Sequence, residues 1–329
     1  MLGAATRRGG ARQPSLLLGR FKRGLRRQLP LLLGAAALFT AAGAAYSINA
    51  GGDALTSALM WAPFGLVAAA FVALVRELER NTITVPASLG KYRGYGILGA
   101  APDLTPSALR ELAPNQRSPL GLLAFRPASP FATAFRDLQD AISSDNLVAF
   151  LAPRSGEGAS TVSLCAAVSA FQQGRKVIVV DCDIRRRTLS HMLHCNPHEG
   201  VFEACHAPEH WQSFVEEEPE TGLHFLPAAG SLNPWRTLLG SPGFPMLLDH
   251  LRKHYDLVVL DCPPALSSGD GAIMAGLADR VVAVAAWDRT PISALRNAVQ
   301  AVRRHSETTT GVYVNRVPPG YRFGRRATE

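Results

Sequence analysis

The chain has 329 residues, 47% of them hydrophobic and 18% charged, and its mean hydropathy is +0.07. It is too apolar for a disordered protein and too long for a disulfide-stapled peptide. The net charge of +8 is local: residues 1–29 hold seven Arg, one Lys and no acid, and 26 bases face 26 acids in the rest. A broad basic groove is excluded on that balance, so no nucleic-acid partner is expected.

The basic arm, residues 1–29, carries Arg7, Arg8, Arg12, Arg20, Lys22, Arg23, Arg26 and Arg27. Two uncharged runs follow, Pro30 to Ile48 and Leu55 to Val75. Each is about as long as the roughly 20 residues a helix needs to cross a bilayer's hydrocarbon. Only Asn49 to Ala54 lies between them, which forces a helical hairpin. With the arm before it and Arg76 and Arg80 after it, the excess of base puts both ends on the cytoplasmic side. The expectation is a two-span anchor over 30–80 in a bacterial inner membrane, with the arm on anionic lipid headgroups. A cleaved leader ending near Ala44 and Ala45, or a buried hairpin of a soluble protein, are the alternatives; the long arm and the immediate second run favour the anchor. Small residues at Gly34, Ala37, Ala41, Ala45, Gly65 and Ala69 let helices approach closely, either those of a membrane partner or each other.

Residues 81–128 form a breaker-rich linker, with Pro86, Pro102, Pro106, Pro114, Pro119 and Pro127 precluding any long helix. It reads as a tether with short structured pieces. The five cysteines, Cys165, Cys182, Cys195, Cys205 and Cys262, have no CxxC spacing and an odd count, as for reduced thiols. His191, His194 and His198 near Cys195 lack a second ligand pair at zinc-finger spacing.

From residue 129 to 316 the pattern becomes regular. Thr133 to Ile142 has helical periodicity, Leu147 to Ala152 reads as a strand, and Ser160 to Gln173 reads as a helix. Apolar runs at Lys176 to Val180, Leu223 to Pro227, Leu257 to Leu260, Arg280 to Ala286 and Gly311 to Val314 read as buried strands. Helical stretches such as Ser293 to His305 alternate with some of them. The expected fold is α/β, a doubly wound, mostly parallel sheet. A basic tail, residues 317–329, closes the chain.

Between the first strand and its helix runs Pro153-Arg154-Ser155-Gly156-Glu157-Gly158-Ala159-Ser160-Thr161. A glycine-bearing loop there offers backbone N–H groups and a helix N-terminus to phosphate. Ligands of such sheets bind at the carboxyl ends of strands, where Asp181, Asp183 and Asp261 stand. Carboxylates beside a phosphate loop suit Mg²⁺ bridging β- and γ-phosphates, with one acid left to orient water or accept a hydroxyl proton.

These segments resemble the bacterial tyrosine kinases of capsule and exopolysaccharide assembly, which share the MinD/ParA P-loop fold. The family's GEGK[ST]T loop appears as Gly156 to Thr161, its VDxDxRRP motif as Val180 to Arg187, and its DxPP motif as Asp261 to Pro264. Leu226 to Ala228 with Asn233-Pro234 is similar to its LPAG…NP segment, Ile97 to Gly99 to its linker, and Gly311 to Asn315 to its GxxxN strand end. The resemblance implies ATP and Mg²⁺ as cofactors. Gly156, Glu157, Gly158, Ala159, Ser160, Thr161, Arg154 and Asn315 would line the nucleotide. Ser160, Asp181 and Asp261 would hold the metal, Asp181 and Asp183 would serve catalysis, and the partner would be a polysaccharide co-polymerase or export protein of the membrane.

Departures from the family pattern carry as much information. The loop lysine is replaced by Ala159, whose methyl cannot neutralise charge on a moving phosphoryl group. Arg154 either substitutes in part, from the place of a second lysine in MinD-like relatives, or is a solvated loop arginine. The oligomerisation motif ExxRxxR reads Thr133, Arg136, Gln139, which puts homo-oligomeric ring assembly in doubt. The terminal tyrosine cluster is reduced to Tyr321, and six residues between the runs leave no room for a periplasmic domain. The expectation is a catalytically impaired scaffold or regulator of polysaccharide polymerisation and export. An active autokinase or ATPase is the alternative, and a MinD-like positioning ATPase is disfavoured by a permanent anchor.

Overall fold

The computed structural model describes residues 14–49, 51, 53–78, 82–83, 96–195, 197–219, 221–229 and 242–319, without the side chains of 14–28, 73–78 and a few scattered positions. Arg7, Arg8, Arg12, Arg80, Asn233-Pro234 and the tail from 320, with Tyr321, lie outside the described residues. The chain divides into two compact units, Met1–Asn81 and Thr82–Glu329.

The first unit is a helical hairpin of α1 (Pro14–Asn49) and α2 (Ala54–Leu78). Runs of Leu and Ala favour helix over any alternative. The boundary drawn at residue 29 is not a break, because α1 passes straight through Pro30. Asp53 starts α2: its carboxylate accepts from the N–H groups of Leu55 (3.3 Å) and Thr56 (3.4 Å), which satisfies donors that a helix start otherwise leaves free. The helices meet at small residues. A Cβ on Gly65 would lie 2.7 Å from Phe39 Cβ, and Ala69 is buried. Gly65 and Ala69 are therefore used within the hairpin, whereas Gly34 has open space before it. Outward-facing side chains are large and apolar: Leu38 and Tyr46 are each 72% exposed, and Leu55, Leu59, Phe64 and Phe71 are likewise exposed. Among the described residues, no helix is long and apolar enough to cross a membrane.

The second unit is built on a sheet that has eight strands among the described residues, in the order β1-β8-β7-β2-β6-β3-β5-β4. They are β1 (Gly96–Pro102), β2 (Leu147–Leu151), β3 (Val177–Asp181), β4 (Glu216–Glu217), β5 (His224–Leu226), β6 (Leu257–Asp261), β7 (Arg280–Ala286) and β8 (Thr309–Val317). All neighbours pair in parallel except β4 and β5. The mostly parallel doubly wound sheet expected from the sequence is present. Its strands read as continuous apolar runs because both faces are covered. Along β2, Val148 and Phe150 enter one core, and Leu147, Ala149 and Leu151 enter the other.

The helices of this unit are α3 (Pro106–Arg110), α4 (Pro119–Phe125), α5 (Pro130–Ala141), α6 (Ala159–Gln172), α7 (Thr188–Met192), α8 (Val201–His206), α9 (Gly243–His254), α10 (Asp270–Ala275) and α11 (Ile292–Arg303). Residues of α4, α5 and α6 fill the first core, with Phe135, Leu138 and Leu164 fully buried. Residues of α8, α9 and α10 fill the second. The amphipathic stretch expected from Thr133 begins earlier, at Pro130, because Ser129 caps it by accepting from the N–H of Ala132 at 3.1 Å.

The breaker-rich segment contributes more than a tether. Gly96–Pro102 adds the edge strand β1 beside β8, and Ala101, Leu112, Leu122 and Leu123 are buried in the first core. Ile83, 1% exposed, belongs to a third cluster with Ala285, Leu295 and Val314. The physical reason is that prolines stop helices but do not stop a short edge strand or single helical turns from burying apolar side chains.

Candidate active site

The loop between β2 and α6 is braced from below. Gly156 and Gly158 have φ of +78° and +98°, a region costly for any residue with a side chain. At Gly158 a Cβ would collide with the amide of Asn315. That amide donates to the carbonyl of Glu157 at 3.2 Å. The Glu157 carboxylate is buried: one oxygen accepts the hydroxyl of Thr290 at 2.8 Å and the other the N–H of Arg154 at 2.9 Å. Burial raises its pKa, and those two bonds offset part of the rise.

The residues expected to line the nucleotide therefore separate into two sets. Glu157 and Asn315 hold the loop's shape through protein contacts. Arg154 and Gly156 are exposed, and Gly158, Ser160 and Thr161 are half-buried. Ala159, half-buried at the first position of α6, packs against the first core. It brings a methyl group to the start of α6, where the resemblance read from the sequence implies an ammonium.

Parallel pairing aligns the strand-end carboxylates. Asp181 of β3 is in register with Asp261 of β6, and Asp261 with Phe150 of β2, two residues short of the loop's start. The N–H of Asp183 donates to Asp181 at 3.0 Å, and the Ser190 hydroxyl donates to the other oxygen of Asp181 at 3.5 Å. The N–H of Arg186 donates to Asp183 at 3.3 Å. Both oxygens of Asp261 are buried and lack a hydrogen-bond partner. The Ser160 and Ser163 hydroxyls stand near enough to lower its pKa somewhat, but neither meets hydrogen-bonding geometry.

Desolvation dominates the titration of all three acids. It pushes Asp181 up to about 7, with the charge of Asp183 adding to the rise. It also raises Asp183, against the pull of Arg186, and lifts Asp261 well above the carboxylate range, with the Asp181 charge as the next cause. Like charges gathered out of water without a counter-ion are costly.

Among the described residues, no group of three or more His, Cys, Asp and Glu side chains forms a metal cage, including the His191, His194, Cys195 and His198 segment. A Mg²⁺ shared with phosphates does not need one, since it keeps several waters and takes only one or two carboxylates. Two orphaned oxygens on Asp261 beside the Ser160 hydroxyl fit a hard cation of this kind, with Asp181 behind them.

Several residues at the site have no announcement in the motifs. Thr290, fully buried, ties the turn after β7 to Glu157. Asp270, at the start of α10, is buried, and Arg185 reaches it at 3.7 Å. Arg289 brings its guanidinium to Gly156. The DxPP motif followed by an acid six residues on could have pointed to Asp270; no spacing relates 289 or 290 to the loop.

On α5 the altered assembly motif has been taken into the fold. Arg136 donates to the carbonyl of Pro127 (2.8 Å) and to the Thr133 hydroxyl (3.1 Å). Gln139 is buried and donates to the carbonyl of Ala166 in α6 at 2.8 Å. All five cysteines are free thiols.

Comparison with known proteins fits this geometry. A family model described as AAA domain matches residues 146–310. The chain is 28% identical over 281 residues to EpsB of Ralstonia nicotianae, named as a proposed tyrosine-protein kinase, covering 82% of this chain and 37% of that protein. It is 27% identical over 199 residues to the succinoglycan biosynthesis transport protein ExoP of Rhizobium meliloti, covering 58% and 25%. This chain thus spans about a third or less of the length of these relatives. Among solved structures it matches the BceF tyrosine kinase domain with a TM-score of 0.61 and 24% identity, over 72% of this chain and all of that one. The VpsO kinase domain matches with a TM-score of 0.51 and 27% identity, over 59% and 96%. The chain belongs to the AAA-domain family of P-loop proteins, within its bacterial tyrosine kinase branch.

Proposed function

We propose that this chain is a membrane-anchored, catalytically impaired member of the tyrosine-kinase family that serves as scaffold or regulator in exopolysaccharide polymerisation and export. The observation that carries the reading is Ala159 in an otherwise intact cradle. Phosphoryl transfer relies on cations placed where charge develops, and removing one such group costs orders of magnitude in rate. The relatives supply the setting, since ExoP is named for succinoglycan biosynthesis and transport.

When bound, ATP with Mg²⁺ would place its phosphates on the loop's N–H groups, and the metal would neutralise phosphate charge. Ser160 and Asp261 would hold that metal, with Asp181 beside them. In this reading the nucleotide is a weakly bound conformational ligand rather than a phosphoryl donor. Asp183 then has no proton to take.

The hairpin is the anchor, in a bacterial inner membrane with both termini cytoplasmic. Its support is the pair of uncharged runs and the large apolar side chains turned outward on both helices, an arrangement that water penalises and lipid does not. The basic arm suits anionic headgroups. The periplasmic work of chain-length control falls to a separate membrane partner, which meets the hairpin on its outer surface, since Gly65 and Ala69 are already used inside it.

An active autokinase or ATPase is the second reading, favoured by the retained Ser160, Asp181, Asp183 and Asp261. Complementation separates the two. In a strain lacking this gene, a full chain carrying Asp183→Asn should restore polysaccharide to the wild-type level, and a chain deleted for residues 30–80 should not. Loss of polysaccharide with Asp183→Asn would favour the enzyme, and full rescue without the hairpin would remove the anchor.

A further inference from the structure

The first position of α6 carries no cation, yet a guanidinium from another turn stands beside the loop at Gly156. A Cβ built on Gly156 would lie 3.4 Å from an Nη of Arg289 and 4.0 Å from its Cζ. Gly156 itself is exposed, so the guanidinium overlies the open side of the loop. Arg289 comes from the turn between β7 and α11, 133 residues from Gly156 in sequence.

That turn is held rigidly against the loop. The N–H of Arg289 donates to the carbonyl of Ala286 at 3.2 Å, and that of Thr290 donates to the same carbonyl at 3.0 Å. The Thr290 hydroxyl accepts from the N–H of Ala286 and donates to buried Glu157, each at 2.8 Å. From the other side, Ile83 accepts from the N–H of Asp288 at 2.8 Å and donates to the carbonyl of Thr290 at 3.2 Å. The backbone that carries Arg289 is thus fixed by the same carboxylate that shapes the loop.

The guanidinium is available for an anion. Arg289 is exposed, and among the described residues no carboxylate lies within ion-pair distance of it. Glu157, whose pKa its charge lowers slightly, is already occupied by Thr290 and Arg154. Arg154, within the loop, is also exposed, and its charge lowers the pKa of Glu157 ahead of that of Arg289; what sets Arg289 apart is its place over Gly156. A planar guanidinium suits phosphate oxygens, and α6 presents its N-terminus to the same space.

We propose that Arg289 supplies the cation that Ala159 cannot, and that it grips the distal phosphates of a nucleoside triphosphate bound at the loop. The proposal rests on the reading of the loop as a nucleotide cradle and adds its source of affinity. Arg289 approaches from a neighbouring turn rather than from the helix start. It therefore restores charge for binding without reproducing a lysine that follows the phosphoryl group.

The test is calorimetric titration of the full chain in detergent micelles with MgATP and, separately, with AMP, while phosphate release is followed in parallel. Arg289→Ala should weaken MgATP roughly ten-fold, as expected for losing a charge-assisted contact, and should leave AMP affinity unchanged. Arg289→Gln keeps length and hydrogen-bonding capacity without charge and should match Ala, which covers the case where the Ala variant fails to fold. Equal MgATP affinity in wild type and variants, equal losses for AMP and ATP, or no MgATP binding by the wild type would each overturn the proposal. Phosphate release by the wild type would instead count against the impaired-site reading, and the ATP-to-AMP comparison would still decide Arg289.

Discussion

The two halves of the phosphate cradle have been treated differently. On the acidic half, Asp181, Asp183 and Asp261 remain gathered at strand ends, buried, and in the case of Asp261 without a protein partner for either oxygen. On the basic half, the helix start holds half-buried Ala159, packed against the core, and the Arg289 guanidinium reaches Gly156 from another turn. The proposed function uses this arrangement: carboxylates able to hold a metal-bound ligand beside a helix start without an ammonium.

Breaking the brace that joins the halves should have the largest effect on stability. Glu157→Ala removes the acceptor of both the Thr290 hydroxyl and the Arg154 N–H, and leaves Thr290 buried with an unused donor. The expected loss is about 2–3 kcal/mol, or a fall of roughly 5–10 °C in the melting midpoint of a domain this size, read by calorimetry. An unchanged midpoint would mean that the loop does not depend on Glu157.

A smaller effect of opposite sign is expected on the acidic half. Asp181→Asn removes a carboxylate that is ionised above about pH 7 and should stabilise the protein by about 1–2 kcal/mol at pH 8. The pH dependence follows from the raised pKa of Asp181. Burial pushes Asp181 up to about 7, above the ordinary carboxylate range, so between the two the folded state binds more protons than the unfolded chain. The stability associated with it is greatest in acid and is lost as pH rises through about 7. The gain from Asp181→Asn should therefore shrink at pH 5, where Asp181 is already protonated. A gain that grew in acid would contradict the crowding.

Much of this was legible in the sequence, and the parts that were not share a cause. The strands β2, β3, β6 and β7 announce themselves because burial on both faces demands unbroken apolar runs such as Leu147–Leu151. The loop and strand-end aspartates could be read because their spacing is local. β1 is hidden by its two glycines and Pro102, which weaken a strand signal even where an edge strand tolerates them. The brace from Thr290 and the approach of Arg289 join segments 130 or more residues apart, so only the fold brings them to the loop. Gln139 shows the same limit. As a letter it marks a lost charge, whereas in the structure it is a buried donor to the α6 backbone.

The central claim is that this cradle cannot transfer phosphate because its loop lysine is missing, and phosphate release from MgATP by the purified full chain, beside Ala159→Lys, tests it most directly. The account predicts no turnover above background for the wild type and a gain of roughly 100-fold or more on restoring the ammonium, in line with what single transition-state donors contribute. Wild-type turnover equal to that of Ala159→Lys would contradict it.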